Sequence, residues 1–488
     1  MLYRHLCPFS WIFILLVIAC KEEPIPIPPT TEPPEVPKGV VAVYQTNNDG
    51  TLALASLPDS LPLVSPTGNS ISIPLDPNQS YQEMEGFGAA LTGSSAYVLK
   101  QHLSDSERAA VLEDLFSAAT GIGISYLRLT MGASDFSRFS YTYNDLPPGQ
   151  TDRDLQQFSL GADEDYLIPV LKEILSIAPD LRIMATPWTA PAWMKTNQGL
   201  IDGGNLKTSL YAAYAQYFVQ YITAMADQGI PIAAITVQNE PLHRAPGYPS
   251  MEMSASEQLI FIRDHLGPAF ERANLDTKVI IYDHNWDETA YPLEILADSE
   301  AKKYVWGSAF HCYAGEVDAM SEVNRAHPDR GIFFTECSGG AWSPNFGANL
   351  AWNMENLFVG APRNWAKTVL LWNLALDEQA GPQNGGCQDC RGVISVGSSN
   401  GAVTKNVEYY LLGHVARFVR PGACRIASPS TRSSGISQVA YQNIDQSLVL
   451  MAYNHLDRPL DIEVLTGNNQ AFQYTLPAGA LATFSWKI

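Results

Sequence analysis

Eight short apolar runs recur along the chain, and helix-patterned stretches separate several of them. The runs are EGFGAALT (85–92), SYLRLTMG (125–132), LRIMATPW (181–188), AAITVQNE (233–240), KVIIYDHN (278–285), WGSAFHCY (306–313), GIFFTECS (331–338) and KTVLLWNL (367–374). Among the intervening stretches, SDSERAAVLEDLFSAA (104–119) opens on Ser104, a residue suited to cap a helix N-terminus. SLYAAYAQYFVQYITAMADQG (209–229) and SASEQLIFIRDHLGPAFERAN (254–274) repeat apolar residues at helical spacing, and Pro268 should kink the second. Strands alternating with helices suggest a parallel sheet. Eight of them over residues 80–417 predict an α/β fold of the (β/α)8 TIM barrel type, longer than the roughly 250 residues usual for such barrels. A doubly wound open sheet is the alternative, but GFGAALTG lacks the GxGxxG spacing of a phosphate-binding first turn.

The two ends carry a different pattern. GVVAVYQT (39–46) and LPLVS (61–65) are strand-like. After Val419 come SLVLMAYNH (447–455), LDIEVLTG (460–467), AFQYTL (471–476) and ALATFSW (480–486), short strands divided by Gly, Asn and Pro turns. The N-terminal strands have no partners of their own. Residues 39–79 and 418–488 are therefore expected to build one β-sandwich from both chain ends.

Ahead of them, Arg4 and His5 precede the apolar run LCPFSWIFILLVIAC, which ends at Cys20 and is short for a membrane span. Residues 1–20 read as a signal peptide. LVIAC resembles a bacterial lipobox, which implies cleavage before Cys20 and lipidation of that residue. The KEE that follows resembles the acidic signal sending some Gram-negative lipoproteins to the outer surface. An ordinary signal with an incidental cysteine is the alternative. Residues 21–38 hold seven prolines and read as a stiff tether. The expected location is the outer membrane or cell surface, with the lipid on Cys20 as the only membrane contact. A net charge of −20 and no basic stripe exclude nucleic acid as a partner. Five cysteines remain after Cys7 and Cys20, too few for a disulfide scaffold. Cys387 and Cys390 form a lone CxxC, read as a loop disulfide in preference to a zinc or redox motif.

In a barrel of this kind, chemistry sits at the C-terminal ends of the strands. There the sequence places Arg128 and Asp135, then Trp188, Trp193 and Lys195, then Asn239 and Glu240. Asp283, His284, Asn285 and Trp286 follow, then His311 and Tyr313, Glu336, and Trp372 with Asn373. Each has an ordinary explanation when taken alone. Glu240 would be a turn residue, Glu336 an ion-paired structural acid, His311 a satisfied core histidine, Trp188 and Trp372 core aromatics, and Asp135 a helix cap. Their coincidence at predicted strand ends points instead to a site. Closure of the barrel would bring Glu240 and Glu336 across one mouth, and glycoside hydrolysis needs two such carboxyls, about 5–5.5 Å apart in retaining enzymes.

The ordered set EGFGAALT, RLTMGASDFS, TPWTAPAWMKTN, ITVQNEP, FHCYAG, FFTECSGG and LLWNLALD resembles glycoside hydrolase family 30, the glucosylceramidase-like and β-1,6-glucanase-like group. The resemblance covers nearly the whole chain after the tether and implies a barrel with an attached sandwich. It implies a retaining double displacement with Glu240 as acid/base and Glu336 as nucleophile, and in that role Glu240 should have its pKa raised by burial and by Glu336. Asn239 would bond the sugar 2-hydroxyl. Asp135 and Trp188 would hold hydroxyls of the −1 sugar, with Trp372 and Asn373 as floor and edge. Arg128 would orient the nucleophile, with His311 and Tyr313 as neighbours. No metal or cofactor is implied. The expected substrate is a β-1,6-glucan or related β-glucoside, with glucosylceramide as the competing choice. A non-catalytic glycan-binding surface lipoprotein is a lower alternative.

Overall fold

A computed structural model describes residues 38–467 and 469–487. The signal segment, Cys20 and the tether up to residue 37 lie outside the described residues. Among the described residues, no helix is long and apolar enough to cross a membrane.

Eight parallel strands close into a barrel. They are β1 (Gly86–Leu91), β2 (Tyr126–Thr130), β3 (Arg182–Thr186), β4 (Ala234–Thr236), β5 (Lys278–Asn285), β6 (Val305–His311), β7 (Gly331–Glu336) and β8 (Ala366–Leu371). β8 closes the ring by pairing with β1, Thr368 opposite Gly86 through Leu371 opposite Ala89. Every predicted run coincides with one strand, although β6 and β8 begin one residue earlier, at Val305 and Ala366. The fourth is the shortest, three residues in place of the expected eight. Past Thr236 the chain leaves the ladder: the Asn239 N–H donates to the Pro187 carbonyl and the Glu240 N–H to that of Asp283. Glu240 itself has φ 44°, left-handed backbone that costs a non-glycine residue about 1–3 kcal/mol.

Period-two alternation builds the barrel interior in layers. Tyr126, Met184, Ala234, Ile280, Ala309, Phe333 and Leu370, one from each of β2 to β8, pack together as an apolar plug. Two residues further along come Arg128, Thr186, Thr236, His311 and Thr335, all buried, so the next layer is polar. β5 breaks the rule. Its register shifts between Tyr282 and His284, and Tyr282 and Asp283 have φ of 73° and 60°. The Asp283 carboxylate reaches Arg128, His311, Thr236 and Thr335 of that polar layer.

The helices follow their signals. Ser104 caps Asp105–Phe116 in a reciprocal capping box with Glu107. The stretch with Pro268 is helical over Ala255–Phe261 and Gly267–Ala273, joined by a wider π turn at Ile262–Leu266 that absorbs the proline's missing donor.

The sandwich takes strands from both chain ends. Its larger sheet runs Ala55–Ser56, Val40–Thr46, Leu481–Trp486, Leu448–Asn454, Ile436–Gln442, Cys424–Ala427 and Asp76–Glu83. The smaller runs Ala471–Leu476, Leu460–Leu465 and Ile71–Pro74. Val41, Val43, Ile73, Phe472, Phe484 and Trp486 fill the space between them.

Candidate active site

A cavity of about 390 Å³ opens at the C-terminal ends of the strands, within the size range of small-ligand sites. Asp135, Trp188, Asn239, Glu240, Tyr313 and Glu336 line it, together with Trp372. Trp188 and Trp372 stack with centroids 5.1 Å apart and form an aromatic floor. The Gln238 side chain fixes Trp188 by donating to its carbonyl at 2.7 Å.

Beneath the floor lies a charged network. The Arg128 guanidinium, fully buried, donates to Glu336 Oε2 at 2.5 Å, to Asn239 Oδ1 at 2.7 Å and to Asp283 Oδ2 at 2.9 Å. It also sits 5.0 Å from the Trp188 ring centroid and 5.5 Å from that of Trp372. Burial pulls its pKa down, but Asp283 and Glu336 more than restore it. Because Arg128 claims the Asn239 oxygen, the amide nitrogen of Asn239 is left as a donor in the cavity wall. Tyr313 donates its hydroxyl to Glu336 Oε1 at 2.9 Å, so both oxygens of this carboxylate are held.

His311 joins the two glutamates from below. Its Nδ1 lies 3.3 Å from Glu240 Oε1 and 3.9 Å from Glu336 Oε1, and its Nε2 lies 3.0 Å from Asp283 Oδ1. Burial alone would lower its pKa. The surrounding Glu336, Asp283 and Glu240 raise it to about 9, so the ring is an imidazolium at neutral pH. His284, 3.8 Å from Glu240, is instead lowered to about 4 by burial and stays neutral.

This changes the expectation for Glu240. Burial raises its carboxyl, but the hydrogen bond and charge of the His311 imidazolium outweigh burial and hold it below its ordinary value. The proton expected on Glu240 resides on His311, one hydrogen bond away. Asp135 is pushed well up by burial and by the charges of Glu336 and Glu240, and its Oδ1 is buried without a partner. Asp135 lines the cavity, and this oxygen can hydrogen-bond a sugar hydroxyl.

Glu240, His311 and Glu336 each place one ligand-type atom within 4.8 Å of the others. Such a trio could hold a cation, but Arg128 and the His311 imidazolium set two positive charges against it. The set fits an electropositive carbon passing between two carboxyls better than a resident metal ion.

Arg128 and His311 reach the carboxylates from outside the cavity lining. Asn373, expected at the subsite edge, does not line the cavity. It is fully buried, and its Oδ1 accepts from Thr92 at 2.9 Å. Trp193 bonds Asn144, and Lys195 bonds the carbonyls of Ser250 and Leu200, so both brace loops. Asp283, which carries the network, was visible only as one polar strand end among several. The lining residues Tyr248 and Trp342 come from loops with no periodic signal.

A disulfide joins Cys312 to Cys337. These residues directly follow His311 and Glu336, so the bond ties the ends of β6 and β7. The signal was present, since neighbouring barrel strands each carried a cysteine at the same point. Cys387 and Cys390 are bonded to each other and line the cavity rim.

Comparison with known proteins agrees with this geometry. Residues 84–419 match the Glycosyl hydrolase family 30 TIM-barrel domain, and residues 422–484 match the Glycosyl hydrolase family 30 beta sandwich domain. An endo-1,6-beta-D-glucanase of Aspergillus fumigatus, neg1, is 33% identical over 431 residues, covering 83% of this chain and 85% of that one. The lysosomal acid glucosylceramidase of Mus musculus is 29% identical over 451 residues, covering 86% of this chain and 84% of that one. The solved structure of the endo-beta1,6-glucanase BT3312 superposes with a TM-score of 0.85 at 35% identity, over 92% of this chain and all of that one. With a closed barrel, an attached sandwich and paired carboxyls over a tryptophan floor, the chain belongs to glycosyl hydrolase family 30 and is an O-glycosyl hydrolase.

Proposed function

We propose that the chain hydrolyses β-1,6-linked glucan by a retaining double displacement. The observation that carries the mechanism is the approach of Glu240 and Glu336, with one oxygen of each within 4.8 Å of the other. Retaining enzymes hold these groups about 5–5.5 Å apart, and inverting enzymes about 6.5–9.5 Å to admit a water. Glu336, held by Arg128 and Tyr313, attacks the anomeric carbon. Glu240 protonates the departing oxygen with the proton that His311 Nδ1 passes along its hydrogen bond. The glycosidic bond breaks, the aglycone leaves, and a glycosyl ester of Glu336 forms. Glu240, now a carboxylate, takes a proton from water, whose oxygen attacks the same carbon and frees Glu336. Asn239 Nδ2 and Asp135 bond sugar hydroxyls over the Trp188–Trp372 floor.

Azide separates the two roles. Glu336→Ala with azide should yield the α-glucosyl azide, and Glu240→Ala the β-glucosyl azide. The reverse pattern would exchange the assignments, and unchanged hydrolysis in either variant would end them.

The substrate choice rests on the higher identity to endo-1,6-glucanases, at 33% and 35%, than to a glucosylceramidase at 29%. Release of gluco-oligosaccharides from β-1,6-glucan, set against turnover of glucosylceramide and xylan, tests it. Preferred turnover of glucosylceramide would support the second reading, and release of xylose oligomers alone would defeat both.

We also propose a lipid anchor at Cys20 and display on the outer membrane, on the strength of LVIAC and the proline-rich stretch after it. Cys20→Ser should abolish incorporation of labelled palmitate and move the protein to the soluble fraction. An unchanged membrane fraction would refute it.

A further inference from the structure

The part of the cavity wall that carries Asp135 rests on one glycine. A Cβ on Gly386 would sit 2.5 Å from the Asp135 Cβ, 2.8 Å from its Oδ2 and 3.1 Å from its Cγ. The three nearest atoms thus all belong to the Asp135 side chain. The backbone raises no objection to a larger residue: Gly385 beside it has φ 80°, but Gly386 lies outside the left-handed region. Close approach, not conformation, is what calls for glycine at 386. On the Asp135 carboxyl, Oδ1 is buried without a partner, so packing and not a hydrogen bond aims that oxygen.

The segment that carries Gly386 is itself held at both ends. Asn384 grips the loop of Asp135. Its N–H donates to the Asp135 carbonyl at 2.7 Å, and its amide nitrogen donates to the Ser134 carbonyl at 2.9 Å and to Ser140 Oγ at 3.0 Å. At the far end, Cys390 and Arg391 pair with Gly340 and Gly339 in a short antiparallel ladder. Arg391 also donates to the Gly340 carbonyl at 3.0 Å and to Glu408 at 2.8 Å. The Cys387–Cys390 disulfide links the residue after Gly386 to this anchor. Gly386 cannot retreat from Asp135 without moving it.

We propose that Gly386, held by the Cys387–Cys390 disulfide, is the positioning residue for Asp135 and so sets the grip on the −1 sugar. This rests on the reading above, in which Asp135 bonds a sugar hydroxyl. A misplacement of about 1 Å in such a group can cost about 100-fold in rate.

A double-mutant cycle on β-glucosyl fluoride tests it. Gly386→Ala should lower kcat/KM about 10- to 100-fold, because the new methyl displaces the Asp135 carboxyl. Asp135→Gly should also lower kcat/KM, since it removes the group that bonds the sugar, and it removes every side-chain atom that the methyl would strike. Gly386→Ala added to Asp135→Gly should therefore cost less than about twofold. The paired substitution Cys387→Ser with Cys390→Ser should behave alike, lowering kcat/KM when Asp135 is present and having little effect in Asp135→Gly. Equal losses in the two backgrounds would mean that the segment supports the fold rather than Asp135, and would overturn the proposal. So would an unchanged kcat/KM in Gly386→Ala. If Gly386→Ala fails to fold, the cysteine pair decides by the same comparison. An unchanged kcat/KM in Asp135→Gly alone would overturn the sugar-binding reading of Asp135, and the positioning role with it.

Discussion

Asp283→Asn is the substitution that the barrel interior should tolerate least for its size. The carboxylate is fully buried and accepts four hydrogen bonds. Oδ2 takes Arg128 at 2.9 Å and Thr236 at 2.7 Å, and Oδ1 takes His311 at 3.0 Å and Thr335 at 2.7 Å. All four partners are donors. An amide of the same shape turns one oxygen into an NH2 group, so two donors face a donor whichever way it flips. Removing one partner of a buried ion pair costs about 3–5 kcal/mol, and that range should hold here. The His311 imidazolium also loses one of its three anions, so its pKa falls from about 9 and the proton reserve beside Glu240 empties at lower pH. Urea denaturation near neutral pH reads the first effect. The pH profile of kcat/KM reads the second, as an alkaline limb displaced toward acid. A loss below about 1 kcal/mol, within the reach of a routine surface change, would refute the energetic reasoning. An unmoved alkaline limb would refute the role of His311.

The remaining perturbations act on neighbouring parts of the same assembly. His311 is raised from 6.5 to about 9 on folding, so its stabilisation is complete below pH 6.5 and is lost as pH rises through 9. The stability gap between wild type and His311→Asn, from denaturation midpoints, should therefore close by about 3 kcal/mol between those limits, and a constant gap would contradict the shift. Tyr313→Phe removes the 2.9 Å donor to Glu336 and should lower kcat/KM by about 10- to 100-fold with the fold intact; equal activity would remove Tyr313 from the site. Replacing Cys312 and Cys337 by serine opens a loop of sequence separation 25 and should cost about 3 kcal/mol in chemical denaturation, whereas an unchanged midpoint would mean that packing alone holds the ends of β6 and β7.

The sequence was most legible where a short period governs side-chain direction. Six of the eight barrel strands fall inside runs recognised by their apolar patterning and the other two begin one residue earlier, and many of the polar and aromatic residues at their ends line one cavity. It was least legible where the backbone departs from that period. Asp283 reaches the polar layer through a register shift and two left-handed residues, which alternation cannot express. Asn373 shows the converse: a polar residue beside Trp372 looked like a subsite edge, yet it bonds Thr92 inside the protein. The protonation of Glu240 was misjudged for a third reason. Burial and a nearby carboxylate were foreseen, but the contact with His311 depends on β4 and β6 lying close across the mouth. The Cys312–Cys337 bond required treating two strand ends as neighbours rather than counting cysteines along the chain.

The buried network has an electrostatic consequence for inhibitors. Asp283, Glu240 and Glu336 face Arg128 and the protonated His311, so the cluster is one positive charge short of neutrality. Passing the proton between His311 and Glu240 leaves that total unchanged. A sugar enters neutral, becomes transiently oxocarbenium-like, and only then cancels the deficit. Ring-nitrogen sugar mimics that carry a full positive charge reproduce that moment permanently, and the cleft should retain them far longer than the glucose they imitate.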